Sequence, residues 1–154
     1  MAVAHLAHSW RVDSPPETVF AHLTEPQHYV GLSPLLVEVR DVHRGADEQG
    51  EPVTDYVAVE RFRFLKVLRW DNLIRVRLRV LDPGTALRQN VVSPGGVRLQ
   101  WTVRLTPDGD GTTVDDQMEI TMAAPLRGFV TGQARAVQLH RAGELTRRMA
   151  RPRH

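Results

Sequence analysis

The sequence predicts an α+β fold, a curved antiparallel sheet of about seven strands crossed by one long C-terminal helix. Three observations predict it. The segment from Val12 to Leu23 breaks an alternating N-terminal stretch into a short helix. From Leu35 to Met122, apolar and polar residues alternate in stretch after stretch, with turn residues between them. From Ala123 the period lengthens to that of a helix and keeps it to Met149.

In residues 3–12, Leu6, His8, Trp10 and Val12 share the more apolar face, which should point inward, and His5, Ala7, Ser9 and Arg11 share the other. The helix of about 15–23 is strongly signalled. Ser14 is placed to N-cap it, Pro15 and Pro16 preset helical φ, and Glu17 completes a capping box. Val19, Phe20 and Leu23 fall on one face of that helix. Thr24-Glu25-Pro26 stops it and starts a second short helix through about Val30, and Pro34 ends the region.

Strands then follow at 35–44, 54–65, 69–81, 85–93, 97–106 and 112–122. Their separators are turn-like: a polar loop at 45–52, Asp82-Pro83-Gly84, Ser93-Pro94-Gly95-Gly96, and Pro107 to Gly111. Tyr56, Ala58, Glu60, Phe62 and Phe64 share a face of the third strand, and Val114, Asp116, Met118, Ile120 and Met122 a face of the seventh. On the final helix the periodicity gathers Leu126, Val130, Gln133, Val137, His140 and Glu144 on one side. Consecutive strands with short turns favour a meander, and the long helix is the only element large enough to cover its buried face. A curved sheet gripping a single helix tends to leave a cavity between them.

A chain of 154 residues fits one domain. At this length roughly 70% of the unfolded surface can be buried, so a core forms without staples. With 42% hydrophobic and 25% charged residues, the composition is that of a globular protein. The absence of cysteine excludes disulfides, thiolate metal sites and cysteine nucleophiles. The N-terminus lacks the apolar core of a signal peptide, and no apolar run approaches the ~20 residues of a membrane span, so the cytoplasm is the expected location.

The net charge is +2, and Lys66 is the only lysine, so the basic residues are almost all arginine, as in proteins of GC-rich genomes. Nucleic-acid binding is one reading of these arginines. The strand Ile74 to Val80 favours the other: its arginines alternate with apolar residues and line the wet side of a half-buried strand. Arg147, Arg148, Arg151 and Arg153 sit near a helix C-terminus, where cations suit the macrodipole. DNA is therefore not an expected partner.

The order and spacing of three pieces resemble the START-like superfamily, also called SRPBCC, which includes the birch-pollen allergen fold, lipid-transfer domains, coenzyme Q-binding proteins and polyketide cyclases or dehydrases. The pieces are Trp10 through Phe20, the hairpin from Leu105-Thr106-Pro107 to Gly111-Thr112-Thr113-Val114, and the helix after Ala124-Pro125-Leu126. The resemblance covers essentially the whole chain. It implies a helix-grip fold over 1–154, a single ligand-binding domain with a mostly apolar pocket between sheet and long helix. The implied ligands are lipids, isoprenoids or aromatic polyketides, with no cofactor. The superfamily hosts many activities, so the resemblance assigns no catalytic residue here.

Five polar residues fall on faces that parity sends inward: His8, Glu60, Asp116, Gln133 and His140. An uncompensated buried charge costs several kcal/mol, so Glu60 and Asp116 must be paired, hydrated, protonated or displaced by a bulge. Each has a catalytic and a structural reading. Asp116 either orients a histidine at the pocket or, after a one-residue slip with Asp115, faces water. Glu60 is either a pocket carboxylate among Tyr56, Phe62 and Phe64 or one half of a salt bridge. His8 and His140 are either general acid–base groups or hydrogen-bonded core histidines. The ligand contacts expected are Trp10, Tyr56, Phe62, Phe64, Trp101, Met118, Phe129, Gln133 and Val137. No metal site is expected: the pairs His5/His8, His22/His28 and His140/His154 lack ligand spacing, and no HExxH, GxSxG, P-loop or GxGxxG motif occurs.

Three functions fit these residues. The first is binding of a hydrophobic or aromatic small molecule. The second is a polyketide cyclase, aromatase or dehydratase, with His8 or His140 as acid–base and Glu60 or Asp116 orienting it. The third is a protein- or RNA-interaction module with a filled core. A cavity of a few hundred Å³ separates the first two from the third. A homodimer stays open.

Overall fold

The computed structural model describes residues 1–64 and 68–150. The side chains of 63–64 and 68–70 also lie outside the described residues. The elements are β1 (Ala2–Val12), α1 (Pro16–Leu23), a 3-10 turn (Pro26–Tyr29), β2 (Leu36–Ala46), β3 (Pro52–Phe64), β4 (Leu68–Asp82), β5 (Ala86–Val92), β6 (Arg98–Asp108), β7 (Gly111–Met122), a second 3-10 turn (Ala124–Leu126) and α2 (Arg127–Arg148). The seven strands form one curved antiparallel sheet in the order β1-β7-β6-β5-β4-β3-β2. Strands β2 to β7 are a meander, and β1 returns to pair with β7.

Alternation along the strands sets the two faces. In β1, Ala4, Leu6 and Val12 are buried while His5, Ala7, Ser9 and Arg11 are exposed. In β7 the buried set is Thr112, Val114, Asp116, Met118, Ile120 and Met122. The two strands stay in unbroken register from Ala2↔Met122 to Val12↔Thr112, so parity survives along their whole length. The outer face carries the arginines: Arg77 pairs with Asp55 at 2.7 Å, and Arg79 pairs with Asp47.

The break after β1 is built differently from its expected form. Pro15, not Ser14, occupies the N-cap position, and no side chain caps the helix. The Ser14 hydroxyl instead donates to the Met149 carbonyl at 2.7 Å, and the Ser14 carbonyl accepts from the Thr112 hydroxyl at 2.7 Å. The expected capping box is thus replaced by a tertiary tie. It joins the start of α1 to the end of α2 and the start of β7. Val19 and Leu23 are buried under this junction, with Phe20 packed partly against them.

Helix α2 is also rotated from the expected stripe. Its buried residues are Ala134, Gln138, Arg141, Ala142 and Leu145, and this face packs on β1 and β7. Val130, Gln133 and Val137 are only partly buried, while Leu126 and His140 are exposed. Glu144 pairs with Arg147 and Arg148. The physical reason is the interior itself. Where the sheet falls away from the helix, Val130, Gln133 and Val137 face a cavity instead of protein atoms. Arg148 also departs from a solvated tail, donating to the carbonyls of His28 at 2.5 Å and Val30 at 2.9 Å. Arg151 and Arg153 lie outside the described residues.

Candidate functional site

Between the concave face of the sheet and α2 lies a cavity of about 290 Å³. The filled core required by an interaction module is therefore not what the interior contains. β3 and β4 supply Tyr56, Glu60, Phe62, Asn72, Ile74 and Val76 to its wall. β5 to β7 supply Gln89, Leu99, Trp101, Met118 and Ile120. The segment after α1 adds Tyr29, Leu32, Ser33 and Leu35, and α2 closes it with Phe129, Gln133, Val137 and Arg141. Phe129 is 69% exposed and stands at the rim. No helix is long and apolar enough to cross a membrane among the described residues, and no group of three His, Cys, Asp or Glu side chains converges there.

One end of the cavity is a packed polar cluster. Asp116, 1% exposed, accepts from Arg141 Nε at 3.0 Å, from Arg141 Nη2 at 3.3 Å and from Gln138 Nε2 at 3.2 Å. The Arg141 guanidinium lies 4.2 Å over the ring centre of Trp101, a cation–π contact made stronger by desolvation. Tyr29 meets Trp101 edge-on at 5.8 Å and stacks on Tyr56 at 6.5 Å. Gln89, opposite Trp101 in the β5–β6 register, donates to the Tyr56 hydroxyl at 2.9 Å. Burial raises the pKa of both phenols above the usual tyrosine range, so they stay protonated. The Tyr29 proton goes to the Leu23 carbonyl at 2.6 Å.

Glu60 sits apart from that cluster, four residues along β3 from Tyr56 and directly opposite Asn72 on β4. Burial alone pushes its carboxyl above the ordinary value, and no hydrogen bond or ion pair reaches it among the described residues. Of the two readings that parity left open, no salt-bridge partner for Glu60 is found among the described residues, and the residue lies in the cavity wall.

The structure separates the remaining candidates. Asp116 faces inward without a slip, but Arg141 and Gln138 occupy its oxygens, so it stands behind the cavity wall. His8 lies opposite Asp116 in the β1–β7 register and stacks on Trp10 at 5.4 Å; neither His8 nor Trp10 belongs to the wall. His140 is exposed and its Nε2 lies 3.1 Å from the Gly31 carbonyl. Phe64's side chain is outside the described residues. The wall does include Tyr56, Phe62, Trp101, Met118, Phe129, Gln133 and Val137. Sequence reasoning missed Arg141, Gln89 and Tyr29. For Arg141 a signal existed: Ala134, Ala142, Leu145 and Met149 mark a helical face on which positions 138 and 141 must also fall.

Solved structures share this fold. A START superfamily protein from Mycobacterium smegmatis superposes with a TM-score of 0.74 at 12% identity, over 94% of this chain and 96% of that one. The Zhui aromatase/cyclase from Streptomyces sp. R1128 gives 0.66 at 17% identity, over 96% of each chain. A protein from Thermus thermophilus gives 0.65 at 21% identity, over 95% of this chain and 97% of that one. At such identities the likeness speaks for the helix-grip fold alone. No curated protein matches the chain in sequence. Residues 3–151 match the family described as polyketide cyclase / dehydrase and lipid transport, and the chain belongs to that family, as a START-like member of the SRPBCC superfamily.

Proposed function

We propose that this chain acts as one ligand-binding domain that holds a hydrophobic or aromatic small molecule, of lipid, isoprenoid or polyketide type, between the sheet and α2. The observation that carries this reading is the cavity of about 290 Å³, walled by aromatic and aliphatic side chains with few polar groups. A wall of that chemistry gains from releasing water to an apolar guest, and its few polar groups orient the guest. Native mass spectrometry of protein purified from its own host tests it: a small molecule should be released on denaturation. Val137, only partly buried, lies in the wall, and Val137→Trp should abolish that release while the protein stays folded. Host-purified protein that is empty, and that also fails to bind an apolar fluorophore, would rule the reading out.

A second reading, a cyclase, aromatase or dehydratase acting on a polyketide, is favoured by Glu60. A carboxyl held above its usual pKa inside an apolar cavity suits proton transfer next to a carbonyl. In that version Glu60 takes the proton from the carbon between two carbonyls and returns it to the departing oxygen. His8 and His140, away from the wall, play no part. Turnover of a linear poly-β-ketone analogue should then fall at least a hundredfold in Glu60→Gln. Equal turnover by the variant removes Glu60 from the chemistry.

A further inference from the structure

The polar lining of the cavity includes two groups of side chains that differ in kind. Around Trp101 the unspent groups are all donors. Arg141 uses Nε and Nη2 on Asp116, and its Nη1 has no partner among the described residues. Tyr56 accepts from Gln89, and no acceptor takes its own proton among the described residues. The Trp101 ring N–H also has no acceptor, but it is sealed from the cavity and out of a guest's reach. These side chains form one touching cluster through Gln89, Tyr29 and the Arg141–Trp101 stack. Arg141 Nη1 and the Tyr56 hydroxyl therefore each keep a donor hydrogen beside the cavity that an acceptor on a guest can use.

In the other group the unspent side chain is an acceptor. Glu60 lines the same cavity, opposite Asn72 and without a partner among the described residues. Tyr56 and Glu60 lie on the same face of β3, four residues apart, which is roughly 13 Å at the strand rise. A guest spanning the cavity meets donors at one end and a carboxyl at the other.

Charge narrows the guest further. Asp116 neutralises Arg141, so the donor cluster carries no net charge. Nothing there compensates an incoming carboxylate, whose desolvation would go unrecovered. A neutral carbonyl oxygen, which accepts hydrogen bonds and has no proton of its own, fits the donors better.

We infer that the cavity selects an elongated apolar molecule without an anionic group, carrying a carbonyl oxygen at the Tyr56/Arg141 end and a hydroxyl or N–H donor at the Glu60 end. This rests on the ligand-binding reading above. It goes beyond it by fixing polarity and orientation, and it disfavours fatty acids and other carboxylates.

Isothermal titration calorimetry at pH 7 with naphthalene probes tests the inference. 6-Acetyl-2-naphthol carries both groups, 2-acetonaphthone only the carbonyl, 2-naphthol only the donor, 2-ethylnaphthalene neither, and 6-hydroxy-2-naphthoate places a charge where the ketone stood. The first should bind about tenfold more tightly than either single-group probe and more tightly than the naphthoate. Tyr56→Phe should erase the gain from the carbonyl and keep the gain from the hydroxyl. Glu60→Gln should weaken the gain from the hydroxyl and keep that from the carbonyl. A merely structural role would lower all affinities together. If all probes bind alike, or the naphthoate binds best, the polarity inference is overturned while ligand binding stands. If none binds, 2-ethylnaphthalene included, the ligand-binding reading falls and takes the inference with it.

Discussion

Arg141 of α2 and Asp116 of β7 meet through two hydrogen bonds, Nε to Oδ2 at 3.0 Å and Nη2 to Oδ1 at 3.3 Å, with both side chains nearly sealed from water. The pair joins the long helix to the sheet at the cavity wall. Its two-point contact fixes the guanidinium, which lies 4.2 Å over the ring centre of Trp101. A buried pair is weak evidence for added stability, but breaking one is costly because a lone charge stays behind.

Arg141→Met should therefore destabilise the fold by about 3–5 kcal/mol, leaving Asp116 with Gln138 alone. The double change Asp116→Asn with Arg141→Met should recover more than half of that loss, since no unpaired charge remains. Urea unfolding of the three proteins measures this. Additive losses in the double variant would mean that packing, and not the charge, dominates.

Glu60 should make stability depend on pH. Its folded pKa is raised by burial above 4.5, its ordinary value. Below the unfolded value both states are protonated and the carboxyl costs nothing. As pH rises through the unfolded and then the folded pKa, the unfolded chain ionises first, so a penalty to folding grows and then levels off. Glu60→Gln lacks that penalty. Its stability relative to the parent should rise from pH 4 to pH 7, as chemical denaturation at the two values would show. A pH-independent gap would place Glu60 in water.

His22 should titrate far below a free imidazole. Burial, then the stacked His28 ring at 4.1 Å and the Arg148 guanidinium, lower its pKa from 6.5 to about 4. The unfolded chain takes up a proton on this residue below pH 6.5 that the folded chain refuses until about pH 4, so its contribution to stability is lost across that window. Proton NMR of the His22 ring should give a midpoint near 4. His22→Gln should flatten the acid limb of the stability curve between those two pH values. A midpoint near 6.5 would show that the ring is not buried against its neighbours.

Gly111 begins β7 where the chain passes closest to β1. A Cβ there would overlap the Val12 carbonyl oxygen and approach the Arg11 guanidinium at 2.6 Å. The carbonyl belongs to backbone that cannot swing aside. Gly111→Ala should cost about 1–3 kcal/mol, visible as a lowered thermal midpoint. An unchanged midpoint would mean that β1 yields at Val12.

Much of the interior is legible in the order of the amino acids. The inward faces of β1, β3 and β7 follow from side-chain alternation, which a strand imposes on every second residue, and that parity places Glu60 and Asp116 inside. Two features resist such a reading. Ser14 carries every local mark of a cap, yet its hydroxyl serves Met149, because a carbonyl from the far end of the chain competes for it and wins. Arg141 reads as surface by residue type. Its burial depends on a carboxylate 25 positions away that only folding brings near.

The α+β order of elements, their turns and the strand face that carries Glu60 and Asp116 were legible in the chain, because these rest on local periodicity and short-range turn chemistry. Folding set which side chains of α2 line the cavity and which pair with the sheet. It also decided that Asp116 is spent on Arg141 while Glu60 is left facing the guest. The spacing of Ala134, Ala142, Leu145 and Met149 marks a helical face, but which strand residues that face meets depends on contacts between segments distant in the chain.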